Sequence, residues 1–269
     1  MSLTDSLQKL AYPVLIADTV ELKCTLSQSA AQAWRKNKAQ LDNNFKASRL
    51  TEPGRPLKPN LVHPRQLKRR GLGTEHGRLS LMHAIAHIEF NAINLAWDAV
   101  YRFTGQPKQY YDDWVSVALD ETRHFKLVCG YLEAHNLEYG DLPAHNGLWD
   151  MALHTDHDIL VRMALIPRAM EARGLDVSPP MIDGLTRCGD KKAAKILELI
   201  YQEEIEHVSI GNKWLQYFCQ KRELPTDSTF RDLIKQYMHG GLRGLLNTKA
   251  RLKAEFTKDE LELLLPKLK

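Results

Sequence analysis

Two stretches of the sequence share one pattern, a glutamate followed three residues later by a histidine: residues 118–128 read ALDETRHFKLV and residues 203–211 read EEIEHVSIG. Side chains at this spacing lie on one face of a helix, one turn apart, so a carboxylate and an imidazole can bind the same metal ion. One copy is weak support, because such pairs arise by chance on charged helix faces. Two copies predict two metal-binding helices. The residues of the pattern are Glu121 and His124 in the first stretch and Glu204 and His207 in the second.

Apolar residues recur at helical spacing over four long segments around these stretches. Gly105 and Pro107 end the first segment, and Pro107 also suits the first turn of the second. No stretch favours a strand, so the sequence predicts an all-α protein with four long central helices. The predicted helices cover residues 78–104, 107–136, 156–173 and 190–222.

A further glutamate precedes each copy of the pattern, on the predicted helix before it. Glu89 lies in an apolar stripe with no Lys or Arg three or four residues away, so its burial is costly unless a cation meets it. Glu171 follows a similar stripe, although Arg168 offers it a pairing partner. Both glutamates are candidate metal ligands.

The spacing of the glutamates predicts two helical hairpins of the same design. Glu89 lies 32 residues before Glu121, and the other two glutamates are 33 residues apart. Gly105 is 16 residues from both Glu89 and Glu121, so a tight turn there brings the two side chains to the same height. Residues 137–155 predict a crossover with a short helix near residues 148–153. If the second and third helices run parallel, the chain must climb about 45 Å from the end of one to the start of the other, and about 20 extended residues span about 65 Å.

The second hairpin is predicted to be interrupted. Gly174 is expected to end its first helix, and Ser178 to cap a short helix that reaches about Arg187. Residues 1–47 predict one or two short helices, the clearer at 19–38, and the tail predicts two more, at 228–238 and 259–265. One structural domain is expected, divided into residues 1–74, an N-terminal helix and basic proline-rich arm packed on the bundle; residues 75–222, the four-helix bundle; and residues 223–269, a C-terminal helical extension.

Four carboxylates that converge in a bundle core carry about four negative charges and cannot stay ionised there alone. Two divalent cations balance this charge, and two neutral imidazoles complete the ligand set. One glutamate from each of two helices and one Glu-x-x-His from each of the other two is the ligand pattern of ferritin-like di-iron or di-manganese proteins. The prediction is a ferritin-like four-helix bundle with a long crossover, with metal ligands Glu89, Glu121, His124, Glu171, Glu204 and His207.

Supporting carboxylates are predicted for the two histidines. A histidine that binds a metal usually donates its other ring N–H to a carboxylate, and an acidic residue directly precedes the glutamate of each pattern. By two-fold symmetry Asp120 is expected to serve His207, and Glu203 to serve His124. The alternative is that one of the two acidic residues faces solvent.

The net charge of +4, from 37 basic and 33 acidic residues, is concentrated in one segment. Residues 48–78 contain eight basic and two acidic residues among several prolines and glycines, which favours a loop or an extended arm. The arm is either a contact strip for an anionic partner, such as nucleic acid or phosphate, or a solvated arm against the protein's own bundle. Its basic residues are Arg49, Arg55, Lys58, Arg65, Lys68, Arg69, Arg70 and Arg78.

The composition is that of a globular protein: 43% of the 269 residues are hydrophobic and 26% are charged, which excludes collagen-like and disulfide-scaffold classes. The N-terminus does not resemble a secretory signal, and no apolar run is long enough for a membrane span, so a cytoplasmic location is expected. The four cysteines form no Cys-x-x-Cys pair, which argues against a zinc ribbon, a rubredoxin-type iron site or a dithiol redox motif.

Several segments resemble an uncharacterised bacterial ferritin-like family, a domain of unknown function. They are MHAIAHIEFNAINLAWD (82–98), ALDETRHFKLV (118–128), HNGLWDMALHT (145–155), RMALIPRAMEARGLDVSPP (162–180), EEIEHVSIG (203–211) and GLLNTKARLKAEF (244–256). The likeness covers about residues 75–257 and departs at Leu246, where a proline is expected, and at Glu255, where a glycine is expected. It implies a ferritin-like fold and a dinuclear site and supplies no established reaction.

The leading hypothesis is an oxidoreductase with two metal ions per chain, iron or alternatively manganese, that uses O₂ to oxidise or hydroxylate a small organic substrate. It needs an electron donor, and the basic arm favours an anionic or tRNA-linked substrate. The chain is expected to be a dimer without membrane association. One alternative is iron handling or peroxide detoxification, and another is a structural or interaction protein of the same fold without catalysis.

Overall fold

The computed structural model describes residues 5–68, 71–238, 244 and 246–264, and this part of the chain is helical with no β-strand. Two isolated bridges, Ser6 with Gln40 and Leu61 with Ala144, are its only extended pairings. The prediction of an all-helical protein is confirmed. The described helices are α1 Leu7–Ile16, α2 Val20–Arg35, α3 Glu75–Arg102, α4 Lys108–Glu133, α5 Gly147–His154, α6 Ile159–Leu165, α7 Ala172–Arg187, α8 Lys191–Lys221, α9 Thr226–Tyr237, α10 Thr248–Lys253 and α11 Lys258–Leu264.

The chain divides into two compact units, Met1–Asp150 and Met151–Lys269. The first contains α1 to α4 and the second contains α6 to α11. The predicted divisions at residues 74 and 222, and the single domain, stay predictions. Within the helices of the described residues, none is both long and apolar enough to cross a membrane.

In the first unit, α3 and α4 form a helical hairpin, as predicted. Thr74 caps α3 by accepting a hydrogen bond from the Gly77 backbone N–H. Gly105 turns the chain with φ of +72°, a left-handed conformation that glycine adopts without steric cost. Helix α1 packs on α3 and α2 packs on α4, while α1 and α2 also contact each other. Helices α1 and α2 therefore cover part of the hairpin.

The basic arm, residues 48–78, is mostly non-helical over its described residues, as predicted. A single 3₁₀ turn, Pro64–Gln66, interrupts it, and α3 begins before the arm ends, at Glu75. Two of its basic residues, Arg69 and Arg70, lie outside the described residues.

Hydrogen bonds to backbone groups of the arm attach it to its own unit. The Gly54 N–H donates to the Leu15 carbonyl over 2.7 Å, at the end of α1. The Trp149 Nε1–H donates to the Thr51 carbonyl over 3.0 Å. The arm therefore contacts the first unit at Leu15 and Trp149. Both predicted roles, a solvated arm against an acidic face of the bundle and a contact strip for an anionic partner, stay predictions.

In the second unit, the chain stays helical where the sequence predicts an interruption. A π-helical turn, Ile166–Glu171, connects α6 to α7, and α7 continues through Gly174 and Ser178 to residue 187. The predicted helix end at Gly174 and the predicted N-cap at Ser178 are both wrong. Pro179 has no N–H to donate to the Leu175 carbonyl one turn earlier. The Asn247 side-chain amide donates to that carbonyl instead, over 3.0 Å.

The C-terminal helices pack on the rest of the second unit. Helix α9 contacts α6 and α8, and α10 contacts α7 and α8. Arg251 of α10 forms a buried two-pronged ion pair with Asp176 of α7, with N–O distances of 2.9 and 2.8 Å. Glu255 has φ of 65°, a left-handed conformation at the position where the family resemblance leads us to expect glycine. The two predicted tail helices correspond to α9 and α11, and α10 was not predicted.

Candidate metal centre

The hairpin of the first unit brings together three of the predicted ligands, Glu89 of α3 and Glu121 and His124 of α4, which we call the first cluster. Their exposed fractions are 4%, 1% and 0%. The His124 Nδ1 atom lies 3.3 Å from Glu89 Oε2 and 3.6 Å from Glu121 Oε2. One ligand atom from each residue lies within 4.8 Å of the others. The predicted convergence about Gly105 is therefore present.

The charges of the first cluster depend on one another. Burial raises the pKa of Glu89 well above its usual range, and the neighbouring Glu121 carboxylate raises it further. Burial lowers the pKa of His124, but hydrogen bonds to Glu121 and Glu89 outweigh it and raise the pKa to about 11. The protonated form is therefore favoured at Glu89, while contact with the two carboxyl groups favours the imidazolium form of His124.

The donor set suits a divalent metal ion. Two carboxylates and one imidazole are ligands typical of iron, manganese and zinc, whereas thiolates, which favour softer ions, are not among them. A bound cation compensates the cost of burying the carboxylates and replaces the proton on His124. The residues present thus fit a metal ion.

In the second unit, α8 brings Glu204 and His207 together, with 3.2 Å between Glu204 Oε1 and His207 Nδ1; we call them the second pair. The His207 side chain is 2% exposed and that of Glu204 is 14% exposed. Glu171 is partly buried at the end of the π turn, which packs against α8. A single dinuclear centre formed by all six residues stays a prediction.

Arg168 does not neutralise Glu171, although the sequence allows that pairing. Its guanidinium is fully buried and pairs with Glu260 of α11, while its Nε–H donates to Asn212 Oδ1 over 2.7 Å. Glu260 lies 92 residues further along the chain. Sequence patterns gave no signal for this long-range pair.

The two predicted supporting carboxylates, Asp120 and Glu203, differ in their burial and contacts. Asp120 Oδ1 accepts a hydrogen bond from Arg123 Nη2 over 2.9 Å, and the Asp120 side chain is 36% exposed. Glu203 is partly buried on α8. The predicted roles of Asp120 toward His207 and of Glu203 toward His124 stay predictions.

The residues that directly follow Glu89 and His124 in the sequence, Phe90 and Phe125, belong to an aromatic group. The rings of Phe90 and Phe125 lie 5.4 Å apart, and the Tyr139 ring lies 5.4 and 5.1 Å from them. Phe90 and Phe125 are buried, and Tyr139 is partly buried. The sequence did not predict that Tyr139 packs on these rings, because Tyr139 lies in the crossover, which has no helical periodicity.

Fold and site together define an all-helical protein with a buried carboxylate–histidine cluster that can hold a metal ion. Residues 16–262 match the family described as "Protein of unknown function (DUF455)", and the chain belongs to this family. It is 44% identical over 214 residues to an uncharacterized protein of Haemophilus influenzae, an alignment that covers 77% of this chain and 74% of that protein. No solved structure matches the chain.

Proposed function

We propose that the protein is a ferritin-like metal oxidoreductase that binds two metal ions per chain, with iron as the metal and manganese as the alternative. The observation that carries the proposal is the first cluster, in which two buried carboxylates and an imidazole converge in the first unit. The repetition of Glu-x-x-His in the second unit supports the count of two ions. The proposed ligands are Glu89, Glu121, His124, Glu171, Glu204 and His207.

Iron bound by such ligands supplies redox chemistry with O₂, which can oxidise or hydroxylate an organic substrate. The protein's own residues hold the ligand atoms in place. Glu89 and Glu121 provide negative charge from two different helices, so the α3–α4 hairpin fixes their separation. Phe90 and Phe125 exclude water from the neighbouring core, since both are buried. The substrate class we propose is a small organic molecule, anionic or tRNA-linked, with an electron donor as a second partner and the basic arm as a contact surface for the anion.

The proposal is tested by O₂ consumption. Metal-free full-length protein is loaded anaerobically with Fe²⁺ and then exposed to O₂, while an oxygen electrode follows uptake and the near-ultraviolet spectrum follows ferric ions. We expect wild type to consume O₂ and Glu121→Gln to lose most of this activity. Glu133→Gln is the matched control, because Glu133 is an exposed carboxylate of the same helix. Equal uptake by wild type and Glu121→Gln would contradict the proposal.

A further inference from the structure

The π turn of the second unit ends on a proposed metal ligand. It covers Ile166–Glu171 and interrupts an otherwise α-helical run from α6 to α7. A π turn contains one residue more than an α turn, so it changes the direction in which the following side chains point, and such turns occur often at functional sites. The position of Glu171 therefore depends on whatever stabilises this turn.

The first stabilising contact lies between Pro167 and Gly211. Gly211 follows His207 by one turn of α8 and has no side chain, which allows Pro167 to approach the helix closely. A Cβ atom at Gly211 would lie 2.8 Å from Pro167 Cγ and would overlap Pro167 Cβ. This contact fixes the distance of the π turn from α8 at the level of the second pair.

The second contact is made by Arg168 and Asn212, the next residue of each segment. Arg168 Nε donates to Asn212 Oδ1 over 2.7 Å, and Asn212 Nδ2 donates to the Glu255 carbonyl over 2.7 Å. The Arg168 guanidinium lies 4.0 Å from the centre of the Phe230 ring and 4.7 Å from that of Phe256. A guanidinium between two rings, paired with Glu260, has little freedom to move.

These contacts also pair Arg168 with a carboxylate other than that of Glu171. On a regular helix, residues three apart are neighbours, and a guanidinium there would neutralise the carboxylate. Here the Arg168 guanidinium forms its ion pair with Glu260 of α11. Burying an ion pair costs desolvation energy that a well-packed apolar pair does not, so the pair contributes geometry rather than net stability.

We propose that Pro167–Gly211 and Arg168–Asn212 form a clamp that sets the position of Glu171 relative to Glu204 and His207. Arg168 is thus a positioning residue for metal binding in the second unit, held by the C-terminal helices. This inference rests on the proposed function, because it assigns Glu171 to a metal ion.

Two pairs of variants test the clamp, with Co²⁺ as the probe in the full-length protein. Gly211→Ala adds a methyl group against Pro167, and Gly174→Ala is its control, because a Cβ atom at this second helical glycine meets nothing within 4 Å. Arg168→Met removes the clamping guanidinium, and Arg222→Met is its control, because Arg222 is also an arginine of the second unit paired with a carboxylate, that of Asp158, over 2.6 and 2.8 Å. The Co²⁺ visible spectrum and binding isotherm are measured together with thermal unfolding.

We expect Gly211→Ala and Arg168→Met to lower the affinity for one of the two Co²⁺ ions about 10-fold and to change the visible spectrum of that ion. Both controls should keep the wild-type spectrum. If wild type binds two Co²⁺ ions and the clamp variants bind them as wild type does, the clamp is contradicted and the proposed function stands. If the controls change the spectrum equally, the effect is one of stability and the clamp is again contradicted. Absence of Co²⁺ binding by wild type would contradict the proposed function itself. Gly211→Ala removes no charge, so it still tests the clamp if Arg168→Met does not fold.

Discussion

His124 Nδ1 lies 3.3 Å from Glu89 Oε2, and this short contact joins the two helices of the α3–α4 hairpin at a point with almost no solvent exposure. In the absence of metal, the contact of the imidazole with both carboxyl groups joins the two helices at this point. Because a metal ion would bind these same imidazole and carboxyl groups, metal binding and the stability of the first unit are linked.

Replacement of one carboxylate should remove metal-dependent stabilisation. A ligand that binds the folded state alone stabilises it by about 2.7 kcal/mol at a concentration 100 times its dissociation constant. We expect Mn²⁺ to raise the melting temperature of wild type and to have almost no effect on Glu121→Gln. Differential scanning fluorimetry with and without Mn²⁺ measures the difference.

The matched control for this prediction is Glu133→Gln, which should respond to Mn²⁺ as wild type does, because Glu133 is exposed. An equal rise in the melting temperature of Glu121→Gln and wild type would show that Mn²⁺ acts elsewhere on the protein.

Asn247 should stabilise helix α7 at the point where Pro179 lacks a backbone N–H. Its amide donates to the Leu175 carbonyl, which has no backbone donor from Pro179. We expect Asn247→Ser, which keeps a capping hydroxyl for α10, to lower the free energy of unfolding by about 1–2 kcal/mol. The loss should be smaller in a Pro179→Ala background, since the new N–H can bond to Leu175. Urea unfolding of the four proteins gives the coupling, and strict additivity would rule out this account.

The buried ion pair of Arg251 with Asp176 should matter far more than an exposed one. Removal of Arg251 leaves the buried Asp176 carboxylate with only Arg173 and the Asn247 N–H as partners, so we expect Arg251→Met to lower the free energy of unfolding by about 3 kcal/mol. Arg222→Ala breaks a pair with Asp158 whose side chains are 41% and 25% exposed, and we expect about 1 kcal/mol or less. Chemical denaturation compares the two, and equal losses would be inconsistent with the burial argument.

Lys23 should make stability depend on pH. Burial lowers its pKa from 10.5 to about 7, although its ammonium donates to the Val14 carbonyl and to Asn94 Oδ1, both over 2.7 Å. Between these pH values the unfolded chain holds a proton that the folded protein lacks, so the free energy of unfolding rises with pH by at most about 1.4 kcal/mol per unit. Lys23→Met should lose this rise between pH 7 and 10.

The control for the Lys23 prediction is Lys9→Met, because Lys9 is an exposed lysine of α1. Urea unfolding at several pH values should give the wild-type pH dependence for Lys9→Met. A wild-type pH dependence in Lys23→Met would mean that other groups cause it.

The parts of the fold that were predictable from the sequence are those governed by local patterns. Helices α3, α4 and α8 were predicted to within three residues, because their apolar periodicity is long and their ends carry capping or helix-stopping residues. The convergence of Glu89 with Glu121 followed from equal distances to Gly105. The interruption at Gly174 was predicted wrongly, since the donor that replaces the Pro179 N–H comes from Asn247, 72 residues after its acceptor.

The same distinction holds for the candidate site. Glu121 and His124 share one helix face, so their spacing alone predicts their proximity. The partners of Arg168 come from α8 and α11, and no local pattern indicates which carboxylate it selects. The sequence was therefore least informative about which of several possible partners, distant along the chain, a buried side chain contacts.

The number of iron ions bound per chain is the sharpest test of the proposed dinuclear metal site. Full-length wild type is loaded anaerobically with Fe²⁺, freed of unbound metal and analysed for iron and protein in the same sample. We expect two iron ions per chain in wild type and a loss of iron in Glu121→Gln. One iron ion or fewer per wild-type chain, with manganese equally low in a parallel loading, would contradict the proposed site.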